Sequence, residues 1–237
     1  MNKKTLCIIP ARSGSKGIRN KNLSLIEGKS LIQISIEEAL QANIFDTIHV
    51  STESDSIKLE AEKLGIDFPF MRKESLATDS VHVSEVVNEV ILNFREMGVN
   101  FKNVCLLMPT SPLRTFKQIQ EAYRMFIETE TDSLVSVSKL GKLETNLRMF
   151  KDKGFMDYYN EDLERNENRQ NTKELFAVNG SIYISKVSSF LELKTFHIKK
   201  VVGYKMSSIH SVDVNSIEDL EIARLLFKYS RLETKEM

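Results

Sequence analysis

Along the chain, short and nearly unbroken apolar runs alternate with longer stretches in which apolar residues return every three or four positions. The runs Thr5–Ile9, Thr47–Val50, Asn103–Met108 and Ser133–Val137 are rich in Val, Ile and Leu, the pattern of strands buried on both faces of a parallel sheet. The intervening stretches Ser30–Ala42, Ser54–Leu64, Val83–Met97 and Phe116–Glu128 have helical spacing, as in Leu31, Ile34 and Leu40 or Val86, Val90 and Phe94. This βαβα order predicts an α/β fold, a Rossmann-like and mostly parallel sheet covered by helices.

The pattern breaks between Lys139 and Lys173, where charges are dense, periodicity is weak and four asparagines fall between Asn160 and Asn171. That segment, about 139–175, reads as an excursion from the core. Strand-like runs return at Phe176–Ile184 and Lys200–Tyr204, and a last helix is predicted from about Ile217 to Tyr229. Its entry, Ser216-Ile-Glu-Asp219, has the capping pattern of a helix start. There is no internal repeat. At 237 residues the chain reads as a single catalytic domain, 1–237, with the excursion inside it.

Charge narrows the partners. The 33 basic and 33 acidic residues cancel, which argues against a nucleic-acid surface and requires any anion site to be local. Cys7 and Cys105 lie inside apolar strand-like runs and read as small core hydrophobes, neither a disulfide framework nor a metal site. His49, His82, His197 and His210 show no metal spacing either. Thr5–Ile9 is too short for a signal-peptide core or a membrane span, so a soluble cytoplasmic protein without a membrane partner is expected.

The chemistry concentrates after the first strand, in Pro10-Ala-Arg-Ser-Gly-Ser-Lys-Gly-Ile-Arg-Asn-Lys-Asn22. Arg12, Lys16, Arg19 and Lys21 place four cations within this loop, and Gly14 and Gly17 allow close approach of the backbone to a ligand. Ligands of open α/β sheets bind outside the carboxyl ends of the strands, so the loop suits a triphosphate. Two common phosphate motifs are absent: a Walker A loop would need Gly where Leu23 precedes Gly28-Lys29-Ser30, and a dinucleotide fingerprint would need a third spaced glycine.

These residues resemble the signature of the CMP-sialic acid synthetases, the acylneuraminate cytidylyltransferases, which usually carry Gly at the place of Ser13. The resemblance extends over about residues 5–227 through Ser51-Thr52, Arg72, Leu76-Ala-Thr-Asp79, Pro109-Thr-Ser-Pro-Leu-Arg114, Asn179-Gly-Ser-Ile-Tyr183 and Val212-Asp213. The related Kdo enzymes lack the Ser-Gly-Ser-Lys-Gly run, which favours a nine-carbon acid sugar of sialic, legionaminic or pseudaminic type. The resemblance implies a nucleotide-diphospho-sugar transferase fold and a Mg²⁺-dependent reaction. In it the sugar's anomeric hydroxyl attacks the α-phosphate of CTP and pyrophosphate leaves. It also implies a homodimer whose subunits embrace through the 139–175 arm.

By the same resemblance Arg12, Lys21 and Asp213 serve catalysis, and Arg12, Ser13, Gly14, Lys16, Lys21, Asn22, Arg72 and Ser84 hold the nucleotide. Met108, Thr110, Ser111, Arg114, Arg169, Gln170 and Asn179 are placed around the sugar, and Asp213 and Asn215 at the metal. Read by their chemistry alone, Arg72 also suits a surface charge, Arg114 a brace of its turn and Asp79 a helix cap. Met108 stands where the family usually has Gln, and a thioether donates no hydrogen bond. Asn215 replaces the second carboxylate of an Asp-x-Asp pair and removes one negative charge. A nucleotidyltransferase for another sugar or nucleotide, Kdo included, and a silent nucleotide-binding regulator remain alternatives.

Overall fold

The computed structural model describes the backbone of residues 2–140, 148–150, 156–158 and 174–236, and the side chains of residues 5–140 and 174–228. The elements run β1 (Asn2–Pro10), β2 (Leu25–Ile26), β3 (Lys29–Ser30), α1 (Leu31–Ala42), β4 (Thr47–Ser51), α2 (Asp55–Glu62), α3 (Val83–Glu96), β5 (Asn100–Leu107) and α4 (Phe116–Glu128). They continue with β6 (Ser133–Lys139), β7 (Arg148–Phe150), β8 (Met156–Tyr158), β9 (Phe176–Lys186), α5 (Val187–Leu193), β10 (Val201–Met206) and α6 (Ile217–Glu236).

Six strands form the central sheet in the order β10-β6-β9-β5-β1-β4. β1 pairs parallel with both β4 and β5, and β10 pairs parallel with β6; β9 runs antiparallel between β5 and β6. The sheet is therefore mostly parallel, as the unbroken apolar runs imply. Alternation along β1 explains those runs: Cys7, Ile9 and Ala11 enter the core under α1, α2 and α4, while Leu6 and Ile8 enter the one under α3 and α5. Both faces are covered, so both parities of the strand are apolar from Leu6 to Ile9.

Cys7 and Cys105 are register partners in this core, and burial raises both thiols, Cys105 to about 12. They are free core residues. His49 is 1% exposed and packs on Phe70 and Phe94 at ring distances of 4.5 and 5.5 Å. A third, smaller core joins α6 to the loop after β1 and to the β2–β3 hairpin through Ile18, Ile26, Leu31, Val214 and Leu220.

The caps follow local sequence. Ser216 and Asp219 form a reciprocal pair at the start of α6, with Asp219 N donating to Ser216 Oγ at 3.2 Å and Ser216 N to Asp219 Oδ2 at 2.8 Å. Gly28 takes φ 79° in the β2–β3 turn and Ser30 caps α1, so Gly28-Lys29-Ser30 is a hairpin leading into a helix. Among the described residues no helix is long and apolar enough to cross a membrane.

Candidate active site

A cleft of about 280 Å³ opens at the carboxyl ends of β1 and β5. From β1 the chain crosses by α1 to β4 on one side, then returns over the opposite face through α3 to β5 on the other. The cleft thus lies where the winding reverses, the usual ligand position in open α/β sheets.

Nine of the residues expected at the site line this cleft: Arg12, Gly14, Lys21, Asn22, Arg72, Met108, Thr110, Asp213 and Asn215. One wall is basic. Another, built from Leu76, Val81, Val83 and Val86, is apolar and offers a flat planar group a place to lie.

Each basic residue is held differently. Arg12 donates through Nη1 to Ala77 O at 3.2 Å and through Nη2 to Asp79 Oδ1. Lys16, with 82% of its side chain exposed, lies outside the cleft lining and reaches Asp79 Oδ2 at 3.4 Å. Lys21 Nζ donates to Asn215 Oδ1 at 3.3 Å. Burial lowers the Lys21 pKa, and the Asp213 carboxylate opposes that shift. Arg72 is 6% exposed, which rules out the surface-charge reading; it donates through Nε to Ser51 Oγ at 3.0 Å and through Nη2 to Ser51 O at 2.6 Å. Burial brings its pKa down to about 10, with Glu53 and Glu89 opposing, so it stays cationic at neutral pH.

The Asp213–Asn215 segment is fixed by two bonds to its surroundings and one within it. Val214 N donates to Thr110 O at 2.8 Å, Asn215 Nδ2 donates to Asp213 Oδ2 at 2.7 Å, and Asn215 N donates to Asp219 Oδ2 at 2.9 Å. Against it sits Gly17, where an added Cβ would fall 2.1 Å from Asn215 O. This corrects the expectation that Gly17 brings the backbone close to a ligand: it brings the loop close to Asn215. Gly14 has nothing within 4 Å of a Cβ and lines the cleft, so the ligand-approach role belongs to it alone.

Several expected site residues lie elsewhere. Arg114 is 1% exposed and donates to Met108 O at 3.1 Å, Ser181 O at 2.9 Å and Ser35 Oγ at 3.1 Å. It braces the turn after β5 from inside the core and presents nothing to the cleft, so the sugar-contact expectation gives way to the brace. Ser111 is fully buried behind the same turn. Asn179, 9% exposed, is spent on Ser136 Oγ at 2.5 Å and Ser211 Oγ at 2.8 Å. Ser84 bonds to His82 Nδ1 at 2.7 Å beside a separate groove on α3. Ser13 gives both its N–H and its hydroxyl to Glu53 Oε1 at 2.7 Å each, outside the cleft lining. Arg169 and Gln170, and most of the expected arm, lie outside the described residues.

Sequence reasoning missed Glu53, which orders the loop through Ser13, and misjudged Asp79. The helix cap offered for Asp79 is supplied by His82, which accepts from Ser84 N at 3.3 Å, with Glu85 completing the box. The available signal was the acid itself: Leu76-Ala-Thr-Asp79 carries a carboxylate that can pair with the loop's cations.

For a metal, the described residues contain no group of three or more His, Cys, Asp or Glu able to hold an ion unaided. A magnesium-type ion nevertheless commonly takes one or two carboxylates and completes its shell with substrate phosphates and water. Asp213, a hard carboxylate on the cleft wall, fits that arrangement. Asn215 fits it less well, because both ends of its amide are already bonded to Lys21 and Asp213.

The family model described as cytidylyltransferase matches residues 6–232. N-acylneuraminate cytidylyltransferase of Escherichia coli O18:K1:H7 is 33% identical over 94% of this chain and 52% of that protein. The chain thus spans about half the length of that relative, and of its Streptococcus agalactiae counterparts. CMP-N,N'-diacetyllegionaminic acid synthase of Legionella pneumophila is 33% identical over 95% of this chain and 97% of that protein. Pseudaminic acid cytidylyltransferase of Campylobacter jejuni is 28% identical over 95% and 97%. Among solved structures, CMP:2-keto-3-deoxy-manno-octonic acid synthetase complexed with CTP superimposes with a TM-score of 0.69 at 14% identity, covering 99% of this chain and 100% of that one. That likeness establishes the fold.

Proposed function

The chain belongs to the cytidylyltransferase family, and from that premise we propose that it transfers CMP from CTP to the anomeric hydroxyl of a nine-carbon 2-keto sugar acid, releasing pyrophosphate. The observation that carries this reading is the meeting of Arg12, Lys21 and Asp213, from two distant parts of the chain, in one cleft at the winding reversal. Relatives named for sialic, legionaminic and pseudaminic acids support the acceptor class.

In this reaction a new bond forms between the acceptor oxygen and the α-phosphorus as the bond to the bridging oxygen breaks. Charge neutralisation and in-line placement then carry most of the catalysis. Arg12 and Lys21 bind the triphosphate and hold its negative charge as pyrophosphate departs. The buried, cationic Arg72 and Asn22 bound the nucleotide end, with the valine-rich wall taking the base. Asp213 accepts a hydrogen bond from the attacking hydroxyl and orients it. A Mg²⁺ ion held by Asp213 and phosphate oxygens would supply further charge neutralisation. We assign Thr110 and Met108 to the sugar side. We also propose that the protein is a homodimer joined through the 139–175 segment, which size-exclusion chromatography with light scattering tests directly.

The deciding assay is pyrophosphate release from each of the four nucleoside triphosphates, with and without Mg²⁺, against sialic, legionaminic and pseudaminic acids and Kdo. Turnover specific for CTP and a nine-carbon acid is expected, and Asp213→Ala should abolish it without lowering the melting temperature. CTP binding with no turnover on any acceptor would sink the enzyme reading; turnover on Kdo alone would replace the sugar.

A further inference from the structure

Two cations of the loop, Arg12 and Lys16, meet a carboxylate in the free protein. Asp79, on the turn between the 3₁₀ segment Glu74–Leu76 and α3, sets one carboxylate oxygen against Arg12 and the other within 3.4 Å of Lys16. The same turn supplies Ala77 O to the other arm of the Arg12 guanidinium at 3.2 Å. Asp79 itself lines the cleft, beside Arg12 and Thr78. A carboxylate forked across a guanidinium and an ammonium occupies the donors a phosphate would use. Arg12 holds the Asp79 carboxyl below its ordinary range, so it is ionised at neutral pH.

We propose that Asp79 is an internal counter-anion of the triphosphate cradle, holding Arg12 and Lys16 in the free protein and giving them up to the incoming phosphates. The inference rests on the cytidylyltransferase reading. Two anions cannot share the same pair of cations without repelling each other, so arrival of the nucleotide displaces Asp79 and moves the Ala77–Ser80 turn. That turn is flanked by Leu76 and Val81 of the apolar wall, so phosphate binding and closure around the base become one event. The acid also returns when pyrophosphate leaves, which lowers the affinity of the cradle for its product.

The test compares wild type with Asp79→Asn and Asp79→Glu, titrated calorimetrically with pyrophosphate and with CTP at two salt concentrations. Turnover is measured on the same preparations. Removing a competing exposed ion pair of this kind is expected to tighten pyrophosphate binding about two- to fivefold in Asp79→Asn. The KM for CTP should fall with it, the gain should shrink as salt rises, and Asp79→Glu should restore values near wild type. A purely structural aspartate would not make product inhibition stronger. Unchanged or weaker pyrophosphate binding in Asp79→Asn, with an intact melting transition, overturns the counter-anion role. If wild type turns over CTP while that happens, the functional reading survives. If wild type neither binds nor turns over CTP, both fall.

Discussion

Replacing Gly17 by alanine adds a single methyl group outside the cleft lining, yet the geometry gives it large consequences. The new Cβ would lie 2.1 Å from Asn215 O, whereas an ordinary carbon–oxygen contact is about 3.3 Å. One of the two segments must therefore retreat by about 1.2 Å. Gly17 does not take a left-handed conformation, so the effect is steric and carries no backbone penalty. The carbonyl sits in a segment tied to Thr110, Asp219 and Lys21, and it cannot withdraw without disturbing those bonds. Overpacking of this kind costs about 1–3 kcal/mol, or roughly 2–12 °C in melting temperature for a chain of this size. Displacing Asp213 and Lys21 by about 1 Å should lower kcat/KM about 100-fold. Differential scanning fluorimetry and the pyrophosphate-release assay read the two effects. Gly14→Ala is the control, because nothing lies within 4 Å of its Cβ, and its melting temperature should match wild type. A Gly17→Ala protein with wild-type kcat/KM and melting temperature would refute the reasoning.

Asn215→Asp places a second carboxylate where an amide nitrogen now donates to Asp213 at 2.7 Å, so the free variant should be destabilised and divalent cation should stabilise it more than wild type. Melting curves with and without Mg²⁺ would show this, and equal shifts would count against a metal beside Asp213. Arg114→Met leaves the acceptors at Met108, Ser181 and Ser35 without their donors and should cost about 3 kcal/mol or more in urea unfolding. A raised KM for the sugar with unchanged stability would instead restore a ligand role. His49 has a folded pKa lowered to about 3 by burial, against about 6.5 unfolded, so it binds its proton more readily when unfolded. Its contribution is whole above pH 6.5 and is lost at about 1.4 kcal/mol per pH unit as pH falls towards 3; His49→Phe should flatten that slope in pH-dependent denaturation.

The sequence by itself determined the class of sheet, the capped start of α6 and the basic character of the loop from Pro10 to Asn22. These follow from local physics. Strands buried on both faces must be apolar at successive positions, a cap is satisfied within four residues, and a run of cations keeps its sign wherever the chain carries it. The antiparallel β9 was legible as a strand but not as to direction, since its apolar run looks the same either way.

Tertiary structure alone decided which charges are spent and which remain for a ligand. Arg114 and Arg12 are equally suited to a carboxylate on paper, but one lies at 1% exposure inside the core and the other opens on the cleft. Gly14 and Gly17 look alike until Asn215, almost two hundred positions away, arrives against one of them. Asp79 read as a cap because the helix is near in sequence, while its partners Arg12 and Lys16 are near only in space. Electrostatic pairing and steric contact depend on separation through space, and folding sets that separation.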